Sequence, residues 1–326
     1  MKKIISVMLV AVLVLSVLVG CGNSGSGSDS SSDSGEKKMK IAMTQGDRTD
    51  QFMSGVETAV KNRCEELGID FTAQDAQKDV QKQIDQINTF VQQGADVIIT
   101  IPCEPNVADA MISAAGDTPI IFVNRLLDEA DEGLYAKNKV VGVGSDESQA
   151  GSLQAEYLSE LFEGKTELNV AVIMGTMGMP ATNQRTDSAL SGLAEKGFKV
   201  NEVFKDTADW DRAKSMDKIQ QFLGTGKPVD VIISNNDEMA LGAVEALKAV
   251  GKTTSDVAVV GIDATKEATG SIEAGALSAS VFQDQVGQGA GAVDVAKKIY
   301  DGEDVENITW IPFELVTKDN VKDYIK

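Results

Sequence analysis

Asp50-Gln51-Phe52, Arg185, Trp210, Asn235-Asn236-Asp237 and Asp263 are the residues of this chain whose types could act together chemically. Each group follows a strand-like run. Two rings cover the C–H faces of a polyhydroxylated ring, while carboxylates, amides and a guanidinium take its hydroxyls. Because such groups are planar, one carboxylate or amide engages two neighbouring oxygens at once. This is equipment for holding a sugar. It is poor equipment for cleaving one, since nothing here singles out an acid with a raised pKa beside a second carboxylate.

Composition removes other kinds of chemistry. Fifty acidic against thirty basic residues give a formal net charge of −20, which repels nucleic acid and disfavours an anionic ligand. With no histidine, the chain has no His-based triad and no HExxH zinc site. At the N-terminus, Met1-Lys2-Lys3, an apolar run from Ile4 to Val19 and Gly20-Cys21 have the form of a bacterial lipoprotein signal. The run is shorter than the ~20 residues a membrane span usually needs. A spanning anchor or uncleaved signal is therefore the lesser reading, and lipidation of Cys21 is expected. Gly22 to Gly35 is nearly all Gly, Ser, Asn and Asp, a composition that cannot bury enough apolar surface to fold, so residues 22–38 are read as a flexible tether. Cys64 on a helix and Cys103 after a strand are expected to be buried free thiols.

The remainder is long enough for substantial cores and alternates regularly. Apolar runs at residues 40–43, 69–72, 96–100, 119–123 and 140–143 are separated by helical patterns, such as Val80, Ile84, Ile87 and Val91 on one face. A second series has runs at 169–173, 199–203, 230–234 and 257–261. Continuous apolar runs argue for parallel strands covered on both faces, hence an α/β fold of two doubly wound parallel-sheet lobes. In such sheets ligands bind beyond the carboxyl ends of the strands, where Asn124, Met179, Arg185, Asn236 and Asp263 fall.

From about Met39 to Ile325 the chain resembles the periplasmic galactose/glucose-binding proteins, within the ribose-type class that serves ABC importers. The resemblance rests on Asp206-Thr207-Ala208-Asp209-Trp210-Asp211, Ser234-Asn235-Asn236-Asp237-Glu238-Met239-Ala240, Gly242-Ala243-Val244-Glu245-Ala246-Leu247-Lys248 and Gly261-Ile262-Asp263-Ala264. It implies lobes of 39–144 plus 285–309 and 145–284 plus 310–326, joined by three crossings near Gly144-Ser145, Gln283-Asp284 and Ile308–Trp310. It implies that Asp50, Asn124, Arg185, Asn236 and Asp263 bind hydroxyls, that Phe52 and Trp210 sandwich the ring, and that Gln283 stands for a family asparagine. Asp50 and Asn236 also suit helix N-caps; for Asp50 both jobs can hold at once, and Asn235 or Asp237 could cap in place of Asn236.

Two departures bear on specificity. Where Met179 and Ala181 stand, the galactose/glucose pattern has a histidine and an aspartate. An unpaired hydroxyl in a closed site costs about 1–3 kcal/mol, so unless Thr182, Asn183 or water substitutes, the cleft suits a sugar with different hydroxyls there. The family's calcium loop is missing: 163–168 lacks alternating oxygen ligands, and the acidic stretch 128–133 has Ala130 at a ligand position. No metal and no cofactor are expected. Gly251-Lys252-Thr253 reads as a helix end rather than a phosphate loop, and Gly142-Val143-Gly144 as a hinge turn rather than a dinucleotide fingerprint. The expected protein is a monomeric, non-enzymatic, lipid-anchored receptor outside the cytoplasm. It takes a monosaccharide to the transmembrane subunits of an ABC permease, with a chemotaxis or two-component sensor as the alternative partner. A carbohydrate-active enzyme and a sugar-responsive repressor are the distant readings.

Overall fold

A computed structural model describes residues 38–104, 106–127 and 132–325. The leader, Cys21 with its expected lipidation, and the tether up to Lys37 lie outside the described residues, as do residues 128–131 of the acidic loop. Among the described residues no helix is long and apolar enough to cross a membrane.

In chain order the first lobe begins with β1 (Lys40–Gln45), α1 (Gln51–Leu67), β2 (Asp70–Asp75), α2 (Val80–Gln92), β3 (Val97–Ile101), α3 (Ala108–Ala115), β4 (Ile120–Val123) and β5 (Val140–Gly144). The second lobe follows with α4 (Glu147–Leu161), β6 (Glu167–Met174), α5 (Pro180–Glu195), β7 (Lys199–Thr207), α6 (Arg212–Leu223), β8 (Val231–Ser234), α7 (Asp237–Ala249), β9 (Ala258–Val260), α8 (Lys266–Glu273) and β10 (Ser280–Gln283). The chain then gives α9 (Gln285–Tyr300) and β11 (Ile308–Trp310) to the first lobe and β12 (Phe313–Val316) to the second.

The first sheet runs β2-β1-β3-β4-β5-β11, all parallel. Every residue of β3, β4 and β5 is buried, which explains their near-continuous apolar sequences, broken only by Thr100 in β3. One face packs Met43, Ile99 and Val141 with Val56 and Val60 of α1 and Ala292 of α9. The other packs Ile98, Ile120 and Phe122 with Ile87 and Phe90 of α2 and Met111 of α3. The second sheet, β7-β6-β8-β9, is likewise parallel and lies between α6, α7 and α8 on one side and α4 and α5 on the other. β10 extends it through single parallel bridges, Val260 to Ala279 and Asp263 to Phe282. β12 then pairs with β10 antiparallel, so the parallel pattern ends at this edge.

Three details differ from the sequence reading. On α2 the fully buried positions are Gln83, Gln86, Ile87 and Phe90, with Val80, Ile84 and Val91 only partly covered. The glutamines go inward because their amides satisfy strand-end groups: Gln83 Nε2 donates to the Ile101 carbonyl, and Gln86 Nε2 to that of Asp75. Gly142 and Gly144 form no turn but lie inside β5. A Cβ on either would come within about 3.0–3.1 Å of Leu126 or Tyr135, so these glycines make room for the loop that crosses the strand. Finally, Trp310 pairs with Gly144 in the first sheet, which moves the third passage between lobes to Ile311-Pro312, one step past the expected boundary.

The thiols of the two described cysteines, Cys64 and Cys103, are buried and free. Desolvation pushes Cys64 up to about 12 and Cys103 up to about 11, so neither is a ready nucleophile.

Candidate functional site

The carboxyl ends of both sheets open onto one cavity of about 1170 Å³ between the lobes. All nine residues singled out from the sequence, Asp50, Phe52, Asn124, Met179, Arg185, Trp210, Asn236, Asp263 and Gln283, line it. All but Arg185, which lies more than a turn into α5, stand at a strand end or within the first residues of a helix, so backbone geometry fixes where they point.

In the first lobe, Asp50 caps α1 by accepting from Met53 N at 3.1 Å, so the cap and cavity positions coincide. Burial raises its carboxyl above the ordinary value, against the Met53 amide and the nearby Arg125 charge. Asn124 follows β4 in the left-handed region, φ 62°, a conformation asparagine tolerates better than most residues. Its Nδ2 donates to Gln288 Oε1 at 3.2 Å, and Gln288 Nε2 donates to Ser145 Oγ at 3.0 Å. This relay ties the end of β4 through α9 to the first passage between lobes. Arg125 was not foreseen, although it directly follows Asn124. One of its terminal nitrogens donates to the carbonyls of Pro102 at 2.6 Å and Cys103 at 2.8 Å.

In the second lobe Arg185 is the organising group. It is 4% exposed and its nitrogens reach Glu147 at 2.5 Å, the Asn235 carbonyl at 2.8 Å and Gln283 Oε1 at 3.2 Å. Burial works against its charge, but Glu147 and Asp263 outweigh that and hold the guanidinium protonated. Its carbon also lies 5.9 Å from the Trp210 ring centre and 5.8 Å from that of Phe313. Thus one side chain touches a residue just after each of the three passages or at its edge: Glu147, Gln283 and Phe313. Glu147 was missed because a glutamate in a first helical turn ordinarily serves only the helix dipole.

The Trp210 ring rests on Gly175, where a Cβ would fall 2.1 Å from the indole. No larger residue fits there without moving the ring. Asp209 and Trp210 both have positive φ, 50° and 66°, and Asp211 then caps α6 through Lys214 N at 2.8 Å. Asn236 caps α7 through Met239 N at 3.0 Å while lining the cavity. Asn235 is instead buried behind, accepting from Gly175 N at 3.0 Å and pairing with Thr186.

Met179 is buried at the start of α5, before Pro180, and offers the helix no side-chain cap. Thr182 does not make up the lost polar contact: its hydroxyl donates to the Thr176 carbonyl at 2.8 Å. Helical spacing puts Ala181, Gln184 and Arg185 on the cavity wall and leaves Thr182 and Asn183 off it. Gln184 is therefore the polar side chain this helix adds, one the sequence reading did not name.

Two buried donors of cavity-lining residues, Gln283 Nε2 and Trp210 Nε1, have no partner among the described residues. Unmet buried donors are costly, so both are features the surrounding packing must hold in place. Asp263 sits at φ 116°, strained for a residue with a Cβ, and is held there by its backbone N–H, which donates a hydrogen bond to the Val281 carbonyl at 2.7 Å. Burial drives its carboxyl well above the usual range, partly offset by Arg185. Behind it Asp237 accepts from Ser280 Oγ at 2.6 Å and Thr265 N at 2.8 Å, yet burial still pushes it up to about 7. Among the described residues no cluster of ligating side chains is arranged to hold a metal ion.

The profile described as a periplasmic binding protein domain matches residues 41–304. A Rhizobium meliloti protein named for rhizopine binding is 40% identical over 260 residues, 79% of this chain and 82% of its own. A Bacillus halodurans ABC-transporter solute-binding protein, solved with bound myo-inositol, is 36% identical with a TM-score of 0.80, covering 88% of this chain and 97% of that one. A galactose/methyl-galactoside-binding periplasmic protein of Haemophilus influenzae is 29% identical over 88% of this chain and 92% of its own. These matches carry the broad class and leave the narrower galactose/glucose assignment unsupported. The chain belongs to the periplasmic binding protein family, whose members here are extracytoplasmic solute-binding proteins of transporters and not enzymes.

Proposed function

We propose that this protein is a monomeric lipoprotein, anchored through Cys21 to the outer face of the bacterial cell membrane. It captures a small ring polyol between its lobes and hands it to the transmembrane subunits of an ABC permease. The observation that carries the reading is the convergence of two rings, three amides, two carboxylates and a guanidinium from distant parts of the chain on one cavity. The lobes, 39–144 plus 285–310 and 145–284 plus 311–326, act as units that close about the three passages, and the permease distinguishes closed from open.

Among ring polyols the cleft favours a cyclitol such as myo-inositol. The solved relative at 36% identity holds that ligand, and Met179 and Ala181 remove two polar contacts that the galactose/glucose pattern supplies. An aldohexose of the galactose or glucose kind is the second reading, favoured by Asp50, Asn236 and Asp263 at matching positions.

Calorimetric titration of the full chain in detergent, across myo-inositol, aldohexoses, pentoses, deoxysugars and amino acids, tests this. Saturable binding of a polyol near micromolar affinity, about −8 kcal/mol, is the expected result. If an amino acid alone saturates the protein, the transport receptor survives and the polyol does not. Acyl labelling of the wild type and its loss in Cys21→Ala tests the anchor.

A further inference from the structure

Asp263 and Ala264 are consecutive residues with positive φ, 116° and 48°. Neither is glycine, so the turn they form persists only because its surroundings enforce it. Its backbone is stitched to β10: Asp263 N donates to the Val281 carbonyl at 2.7 Å, and Gln283 N donates back to the Asp263 carbonyl at 3.3 Å. The next two amides converge on one carboxylate. Ala264 N donates to Ser280 Oγ at 3.1 Å, Ser280 Oγ donates to Asp237 Oδ1 at 2.6 Å, and Thr265 N donates to Asp237 Oδ2 at 2.8 Å. Asp237 N also donates to the Ile262 carbonyl at 2.8 Å, so this residue grips the turn on both sides. Asp237 and Ser280 are 0% and 1% exposed, and neither lines the cavity. Room is kept for the carboxylate by Gly261, where a Cβ would fall 2.2 Å from Asp237 Oδ1. A place in the first turn of α7 suits the helix dipole, yet both oxygens are engaged by α8 and β10 instead. Taking a carboxylate out of water is expensive, and here it meets two donors with two acceptor oxygens, which no neutral side chain does.

We propose that Asp237 and Ser280 are positioning residues for ligand binding: together they clamp the Asp263–Ala264 turn and so set how the Asp263 side chain enters the cavity. The inference rests on the polyol reading above, in which Asp263 takes a ring hydroxyl. It adds two residues that act through Asp263 without touching the ligand. A hydrogen bond weakens steeply as its angle opens, and a binding group must be held to within about 0.5 Å of its productive place. Relaxing the turn toward ordinary backbone therefore costs affinity although no ligand contact is deleted. Because Ser280 and Gln283 share β10, the same clamp also fixes Asp263 relative to Gln283.

The test measures binding of myo-inositol, or of D-galactose should the wild type take that instead, by calorimetry on the full chain in detergent. Backbone amide exchange is followed alongside, over peptides covering residues 261–266 and, as a control, β6. Ser280→Ala is expected to weaken binding about tenfold, the scale of two lost hydrogen bonds, and to speed exchange in 261–266 while β6 is unchanged. Asp237→Ala does the same. Asp237→Asn stays within about threefold of the wild type, because its amide still accepts from Thr265 N and donates to Ser280 Oγ. Wild-type affinity in Ser280→Ala overturns the inference, and so does weaker binding without faster exchange in 261–266. A loss in Asp237→Asn as large as in Asp237→Ala overturns it too. Should Asp237→Ala not fold, Ser280→Ala decides. A wild type that binds neither polyol removes the polyol reading and this inference together, whereas a binding wild type beside an unaffected Ser280→Ala removes the inference alone.

Discussion

The two walls of the cleft are built by different means. On the first-lobe wall, Asp50 and Asn124 are fixed mostly by backbone: a helix cap in one case, a left-handed turn in the other. On the second-lobe wall, Arg185, Glu147, Gln283, Asn235 and Thr186 hold one another through buried side-chain bonds. A backbone-fixed group is cheap to keep and tolerant of its neighbours. A side-chain network is stiff and collapses together when one member is lost. Specificity and hinge control should therefore concentrate on the second lobe, while the first supplies a generic polar surface.

The largest expected effect is Arg185→Ala. It leaves Glu147 buried without its partner, so stability falls by roughly 3–5 kcal/mol and ligand binding is lost, as thermal unfolding and calorimetry would register. Asp50→Ala, its counterpart across the cleft, is expected to cost only about 1 kcal/mol of stability through the lost cap; equal losses for the two would erase the contrast. Next, Trp210→Ala is expected to weaken binding by about 2–3 kcal/mol, and Phe52→Ala by about half of that, on the scale of aromatic burial and anchoring. Gly175→Ala sharpens this point, because it displaces the indole without deleting it and should approach the Trp210→Ala affinity.

The double change Met179→His with Ala181→Asp restores the galactose/glucose pattern. It should shift the affinity ratio between glucose or galactose and myo-inositol toward the hexose by about tenfold, or 1.4 kcal/mol. No shift would mean that α5 does not set specificity. The remaining effect is one of pH and concerns Asp237. Its carboxyl titrates near 4 when unfolded and at about 7 when folded, so the folded state binds a proton that the unfolded state has released. Stability attributable to this group is therefore full at low pH, declines as pH rises through that window and is flat above it. Asp237→Asn should remove that decline, on the order of 2–3 kcal/mol in urea melts compared between pH 5 and pH 8.

Much of this was legible in the chain. Near-continuous apolar runs such as Val97–Ile101 and Val140–Gly144 announced parallel strands because both faces of such strands are covered, and the cavity residues followed because ligands gather where such strands end. What stayed hidden depends on partners remote in sequence. Glu147 and Gln288 look like ordinary helix-surface residues until Arg185 and Asn124 are seen beside them. Gln83 and Gln86 break the apolar stripe of α2 because they serve carbonyls on neighbouring strands, a need that periodicity alone cannot register. Thr182 could not be told from Gln184 until the register of α5 was known. Trp310 was misassigned by one residue because an apolar run does not say which of two sheets it joins.

Arg185 reaches Glu147, Gln283 and Phe313, which adjoin the three strands of chain that pass between lobes. On the proposed closure of the lobes, a fastener common to all three would make them flex in concert, so that the balance between two postures could be retuned by editing one buried spot. Evolution could thereby raise or lower the ligand concentration at which uptake begins while leaving untouched the outer surfaces that a transporter must read.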